Sequence, residues 1–368
     1  MLMYSLYTVL FRSDSPRLSG ARLFFRPLLV CPWSGSKAED SVCPQAGTSH
    51  FDVLLCSALS AGTQINMTKT AKLRGVITPI LTPFNDDLGF APDLYLQQAR
   101  WLLDQGIHYL SPFGTTGEAL SMSVEERISA VDTLINGGVD PAVLMPGTGL
   151  CNLPETVVLC RHAVERGCAA VMTLPPFFYK NASDDGLYAY FDQLIHRVNN
   201  PDLRICLYHI PPMAGIGFTP GLAGRLAADF PDVVVAYKDS SGDFENTCAV
   251  IRSAPQLAVF PGAETFLRKG MESGGAGCIS ATCNINPAGI RNVFDIAVGD
   301  VEGDLDSADI AMIAIRKSIE GYAPIPAMKG LLAEKRGDSR WRNVRPPLIA
   351  TSSESTSDLL TVLGDSLG

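Results

Sequence analysis

Residues 204–240 read RICLYHIPPMAGIGFTPGLAGRLAADFPDVVVAYKDS. Two apolar runs, Arg204–Pro211 and Val233–Ser240, bracket a longer stretch broken by Gly and Pro. A strand with one wet face would alternate apolar and polar residues. These runs are apolar on both faces, as parallel strands covered by helices are. Outward in both directions the unit repeats. Upstream lie Gly75–Pro83, Ile107–Gly114, Ala142–Gly149 and Ala169–Phe177; downstream lie Leu257–Glu264 and Gly277–Asn284. Amphipathic segments separate them, among them Asp93–Gln105, Val124–Asn136, Pro154–Arg166 and Gly186–Val198. In the last, Leu187, Tyr190, Phe191, Leu194 and Ile195 fall at i, i+3, i+4, i+7 and i+8, one face of a helix. Ser123 with Glu126 three residues on reads as a capping box at a helix start.

Eight strand-like runs alternating with helices predict an α/β fold closed as a (β/α)8 TIM barrel, because open doubly wound sheets usually have fewer strands. Helical text continues at Asp306–Glu320 and Ala327–Lys335. The expected organisation is therefore a barrel over 67–300 and a small C-terminal helical extension over 301–368, with 1–66 unassigned.

The composition agrees. The 368 residues carry 29 Lys+Arg against 38 Asp+Glu, and 46 % are apolar, which excludes a disordered or fibrous chain. A net charge of -9 without a Lys/Arg-rich run argues against a nucleic-acid partner. No uninterrupted apolar window is long enough for a membrane span. The ten cysteines include no CxxC and no zinc spacing. Cys160, Cys168, Cys206 and Cys248 stand singly in apolar text and read as reduced thiols of a cytoplasmic protein. Residues 1–66 differ in kind: Pro, Ser, Gly and three Cys are scattered through them with no sustained period, and five basic groups meet four acidic ones. Three readings stand for this stretch: a mitochondrial transit peptide, upstream sequence read through to a natural start at Met67, or a structural extension. Its deletion is expected to leave activity unchanged.

In a barrel of this kind chemistry sits where strands end. The second run ends in Gly114-Thr115-Thr116-Gly117-Glu118, the fifth in Tyr208-His209-Ile210-Pro211, the sixth in Tyr237-Lys238-Asp239-Ser240, and the eighth in Ile279-Ser280-Ala281-Thr282. Lys238 closes a wholly apolar strand. Burial disfavours an ammonium, and a neutral amine is a nucleophile able to form a Schiff base with a carbonyl. The plainer alternative is a lysine paired with Asp239 or Glu118. The Gly114–Glu118 loop lacks the Lys-Ser/Thr ending of a phosphate loop; its hydroxyls and N–H groups suit a small carboxylate, or it is simply a strand-to-helix turn. Tyr208, before a Pro-Pro pair, and Tyr179, in an aromatic loop, offer phenols for proton relay or serve as rim tyrosines. His209 should point away from Tyr208 by strand alternation and so be structural. His50, His108, His162 and His196 lack metal-ligand spacing, and Gly147-Thr148-Gly149 is a weak dinucleotide signal, so neither metal nor cofactor is expected.

Together, Gly-Thr-Thr-Gly-Glu, Tyr-His-Ile-Pro, Tyr-Lys-Asp-Ser, Gly274-Gly275-Ala276-Gly277-Cys278-Ile279-Ser280 and Pro324-Ile325-Pro326 resemble the dihydrodipicolinate synthase/N-acetylneuraminate lyase family over roughly residues 73–347. The resemblance implies a metal-independent class I aldolase acting on pyruvate or another 2-oxo acid. It makes Lys238 the imine-forming lysine, Tyr208 the relay phenol, and Thr115 and Thr116 the hydroxyl pair at the substrate carboxylate. It makes Tyr179 a tyrosine that crosses to a neighbouring subunit of a homotetramer, a dimer of dimers. Gly114, Ile279 and Gly262 line the pocket. In the synthases of that family an arginine follows in the segment after the strand tyrosine; here Met213 stands there and cannot clamp a carboxylate. Lys238-Asp239-Ser240-Ser241-Gly242-Asp243 is closer to the 4-hydroxy-2-oxoglutarate aldolase pattern. A methionine-lined outer pocket for a less acidic second half-substrate is therefore expected. 4-Hydroxy-tetrahydrodipicolinate synthesis, dehydration of a 2-oxo-3-deoxy sugar acid and non-catalytic binding of a 2-oxo acid are the alternatives.

Overall fold

The computed structural model describes residues 72–364. The stretch 1–66, with its three readings, lies outside the described residues. Among the described residues seven strands form: β1 (Gly75–Thr78), β2 (Tyr109–Leu110), β3 (Val171–Thr173), β4 (Ile205–His209), β5 (Val234–Asp239), β6 (Ala258–Pro261) and β7 (Gly277–Ile279). All pairings are parallel, in the orders β2-β1-β7 and β3-β4-β5-β6.

The third predicted run, Ala142–Gly149, is the exception. Pro141–Val143 form a 3-10 turn, and beyond it Leu144 and Gly147 make single bridges only. Pro146 has no N–H to give, so a rung of the ladder is missing. The run still occupies a strand's place. Met145 N donates to Leu110 O at 2.8 Å and Gly147 N to Pro112 O at 2.7 Å, while Ala169 N reaches Leu144 O and Met172 N reaches Pro146 O, both at 2.9 Å. On the opposite side Ala276 N donates to Val259 O and Gly75 N to Ala276 O, both at 2.8 Å. The two sheets thus close into one barrel of eight segments.

Every strand is shorter than its apolar run. Gly75–Pro83 holds a four-residue strand, yet Ile80 and Leu81 beyond it are fully buried. Apolar text continues past the ladder because the barrel mouth is itself covered.

The helices form where their patterns place them. Over Asp184–Val198, Leu187, Phe191, Leu194 and Val198 face the core, with Tyr190 and Ile195 at its margin. Burying each such side chain contributes about 1.5–3 kcal/mol. The capping box is present: Ser123 Oγ accepts from Glu126 N at 3.2 Å, and Glu126 Oε2 accepts from Ser123 N at 2.9 Å.

The extension comprises helices Leu305–Glu320, Pro324–Arg336 and Ser353–Leu363, the last unanticipated from sequence. Met328, Leu331, Leu332, Trp341 and Leu359 form one core with Leu81 and Ile285, which belong to the loops after β1 and β7. The extension therefore packs at the end of the barrel where the strands finish. Among the described residues no helix is long and apolar enough to cross a membrane.

Candidate active site

β4 and β5 pair with Tyr208 opposite Lys238 and His209 opposite Asp239. Side chains of paired residues in a parallel sheet share a face, so the register alone brings the phenol and the amine together. Lys238 Nζ stands 4.2 Å from the centre of the Tyr208 ring, and Tyr208 Oη lies 3.1 Å from Thr115 Oγ1. Lys238 is 4 % exposed and Tyr208 3 %.

Both carboxylates that could have paired with Lys238 are engaged elsewhere. Asp239 accepts from Ser241 N and Asn246 Nδ2 at 2.9 Å and from Thr247 Oγ1 at 2.8 Å. Glu118 accepts from Lys329 Nζ and, at 2.9 Å, from Arg345 N. Among the described residues Lys238 has no ion-pair partner, and its amine opens instead into a cavity of about 270 Å³. Thr115, Thr116, Tyr208, Ile210, Ser240, Gly262, Phe266, Ile279 and Arg316 line that cavity.

The hydroxyl pair is held by the turn that carries it. Gly117 N donates to Gly114 O at 3.0 Å and Glu118 N to Thr115 O at 3.1 Å. Phe113 and Glu118 adopt left-handed backbone (φ 59° and 53°), which non-glycine residues keep only where their surroundings impose it. Three anchors do so here: Thr82 Oγ1 donates to Gly117 O at 2.7 Å, Lys329 and Arg345 grip Glu118, and a Cβ on Gly117 would meet Ile80 O at 2.9 Å. Burial pulls the Lys329 ammonium down to about 8 even with Glu118 opposing that shift.

The opposite wall depends on Gly262. Its N–H donates to Asp239 O at 2.6 Å, and a Cβ there would stand 2.9 Å from that same backbone oxygen and meet the Ser240 side chain, so glycine suits the close passage of the β6 end beside the end of β5. Ile279 is fully buried and contributes an apolar edge.

The structure brings Lys238, Tyr208, Thr115, Thr116, Gly262 and Ile279 together. Gly114 and Met213 line a second, largely apolar cavity of about 260 Å³ that shares Thr115 and Tyr208 with the first. Met213 is 68 % exposed, and Tyr179, at 72 %, packs edge-on against Phe178 and does not line the lysine cavity. His209 is structural: its Nδ1 accepts from Phe218 N at 2.9 Å, and its ring stacks on Tyr237. Sequence reasoning missed Glu264, Arg316, Lys329 and Arg345. Only Lys329 left a signal, as a lone charge in the apolar text of Pro324–Ala333.

A family model described as the dihydrodipicolinate synthetase family matches residues 72–364. An uncharacterised DapA-like lyase of Chloroflexus aurantiacus is 34 % identical over 290 residues, covering 78 % of this chain and 95 % of its own length. A 4-hydroxy-tetrahydrodipicolinate synthase of Thermus thermophilus is 32 % identical over 284 residues, covering 76 % and 92 %. Among solved structures, the dihydrodipicolinate synthase of Agrobacterium tumefaciens superposes with a TM-score of 0.72 at 29 % identity, covering 79 % of this chain and 98 % of its own. A dihydrodipicolinate synthase of Acinetobacter baumannii complexed with pyruvate gives 0.73 at 25 % identity, covering 80 % and 99 %.

Proposed function

This chain belongs to the dihydrodipicolinate synthetase family of lyases, and on that premise we propose that it cleaves or forms a carbon–carbon bond of a 2-oxo acid through a Schiff base on Lys238. The observation that carries the reading is Lys238 itself: buried, without a carboxylate partner among the described residues, and open to a cavity shared with Tyr208, Thr115 and Thr116.

The neutral amine attacks the C2 carbonyl of a 4-hydroxy-2-oxo acid whose carboxylate rests on the Thr115–Thr116 turn, and water leaves as the imine forms. The protonated imine draws the electron pair of the C3–C4 bond. The 4-hydroxyl gives up its proton through the Thr115–Tyr208 hydrogen bond, and the aldehyde departs. The enamine takes a proton at C3, and water releases pyruvate and restores the amine. Run backwards, the same steps join the two halves. Positions 211–215 read Pro-Pro-Met-Ala-Gly without an arginine, so we place this aldol chemistry ahead of the 4-hydroxy-tetrahydrodipicolinate synthesis named for the Thermus relative. We further infer a homo-oligomer, in which the exposed Phe178–Tyr179 pair meets a second copy.

Borohydride reduction in the presence of pyruvate, followed by peptide mass analysis, tests the reading. The expected product is one reduced adduct on the peptide that carries Lys238; a folded protein with no adduct there overturns it.

A further inference from the structure

Among the described residues one cationic side chain besides Lys238 lines the lysine cavity, and it does not come from the barrel. Arg316 lies near the C-terminal end of helix Leu305–Glu320, in the extension. Two carboxylates approach it loosely. Its Nε donates to Glu320 Oε1 at 3.4 Å, and its Nη1 stands 3.6 Å from Glu264 Oε2, outside ordinary hydrogen-bond distance. Glu264 is almost completely buried, and its oxygens already accept from the hydroxyls of Ser280 and Thr282. It thus acts as a fixed negative wall that orients the guanidinium rather than saturating it. A guanidinium carries five N–H donors in a planar fork, and Nη2 has no hydrogen-bond partner among the described residues. The side chain is 26 % exposed, and the residue lines the cavity of Lys238.

We propose that Arg316 is a specificity-determining residue that binds a second, distal carboxylate of the substrate, so that the enzyme prefers dicarboxylic 4-hydroxy-2-oxo acids to their monocarboxylic counterparts. The inference rests on the Schiff-base reading of Lys238. It differs from the expectation of a methionine-lined outer pocket. Met213 borders the neighbouring apolar cavity, whereas Arg316 shares the cavity of Lys238, so the acid-reading group is supplied by the extension. Charge complementarity favours the assignment. Among the described residues the one carboxylate lining this cavity, Asp239, is occupied by three donors, and a planar fork matches a carboxylate in the two-bond geometry that lysine cannot provide.

The full-length enzyme and its Arg316→Gln and Arg316→Lys variants are assayed for pyruvate release from 4-hydroxy-2-oxoglutarate and from 4-hydroxy-2-oxopentanoate, which carries a methyl in place of the distal carboxylate. The wild type should favour the dicarboxylate in kcat/KM. In Arg316→Gln that preference should fall by about 10–100-fold, mainly through KM for the dicarboxylate, as expected when a charge-assisted pair is lost. Arg316→Lys, which keeps the charge without the fork, should recover part of it. An unchanged preference in both variants, or no wild-type preference, overturns the proposal. Borohydride trapping with pyruvate, which lacks a distal carboxylate, separates the two failures. No adduct on wild-type Lys238 removes the underlying mechanism, whereas a normal adduct with an unaltered preference removes Arg316 alone. A variant that still traps pyruvate is folded at the site, so its kinetics are interpretable.

Discussion

Lys238 and Lys329 are both buried, at 4 % and 0 % exposure, yet the fold gives them opposite company. Lys329, on a helix of the extension, donates to Glu118 and to Asn343 O and sits 4.4 Å from the centre of the Phe84 ring. Lys238, at the end of β5, has an aromatic ring on one side and open volume on the other. Burial alone therefore does not mark a reactive lysine. A carboxylate at hydrogen-bond distance fixes an ammonium in place, and its absence beside a cavity leaves an amine free to meet a carbonyl.

The sharpest way to break this contrast is to remove each amine in turn. Lys238→Ala should abolish the borohydride adduct and lower turnover by roughly 10⁴-fold or more, since nothing else in the cavity can form the imine. Retention of more than a small fraction of wild-type turnover by the folded variant would sink the assignment. Lys329→Met should act on stability instead. It leaves the Glu118 carboxylate buried without its countercharge, at a cost of about 3–5 kcal/mol. The double variant Glu118→Gln/Lys329→Met removes both charges and should regain most of that loss in urea unfolding. If it proves as unstable as the single variant, the pair is not the source of the cost.

The two lysines also differ in how legible they were. Lys238 could be singled out because a charge closing a wholly apolar strand is conspicuous, and strand ends are where a barrel displays its chemistry. The alternation itself was readable because both faces of the strands are buried, the outer under helices and the inner inside the barrel. The third run misled for a local reason, the missing N–H of Pro146. The extension was only partly legible. Helix Ser353–Leu363 opens with Ser-Glu-Ser-Thr-Ser and buries only Thr356, Leu359 and Leu363, too sparse a pattern to announce itself. Glu118 meets Lys329 across 211 positions and Arg345 across 227, separations over which no periodicity speaks. Arg316 reaches the cavity only because the extension packs over the barrel mouth.

A change at Tyr208 refines the contrast at the next smaller scale. Tyr208→Phe keeps the ring beside Lys238 but removes the hydroxyl that meets Thr115. The adduct should still form, while aldol turnover falls by about 10²–10³-fold, within the range for a lost general acid–base group. Equal losses in trapping and turnover would mean that Tyr208 only positions the lysine.

The smallest effect asks whether the same rule governs other buried bases. Among the described residues His108 and His209 have no carboxylate at hydrogen-bond distance, and each Nδ1 accepts a backbone N–H, from Val76 at 3.1 Å and from Phe218 at 2.9 Å. Burial holds both imidazoles below their usual value; a nearby Arg291 adds to this at His108, and Asp239 partly opposes it at His209. Above about pH 6.5 folded and unfolded chains both carry them neutral, and their contribution to stability is complete. As the pH falls below that value the unfolded chain takes up protons first. Stability is then lost by up to about 1.4 kcal/mol per histidine per pH unit, until the folded values are reached. His108→Asn/His209→Asn keeps an acceptor at each position but cannot titrate. Its unfolding free energy should therefore decline less than that of the wild type between pH 7 and pH 5. Superimposable acid limbs for the two proteins would show that these imidazoles accept protons in the fold as readily as in the unfolded chain, and that a buried base here does not need a carboxylate to keep its charge.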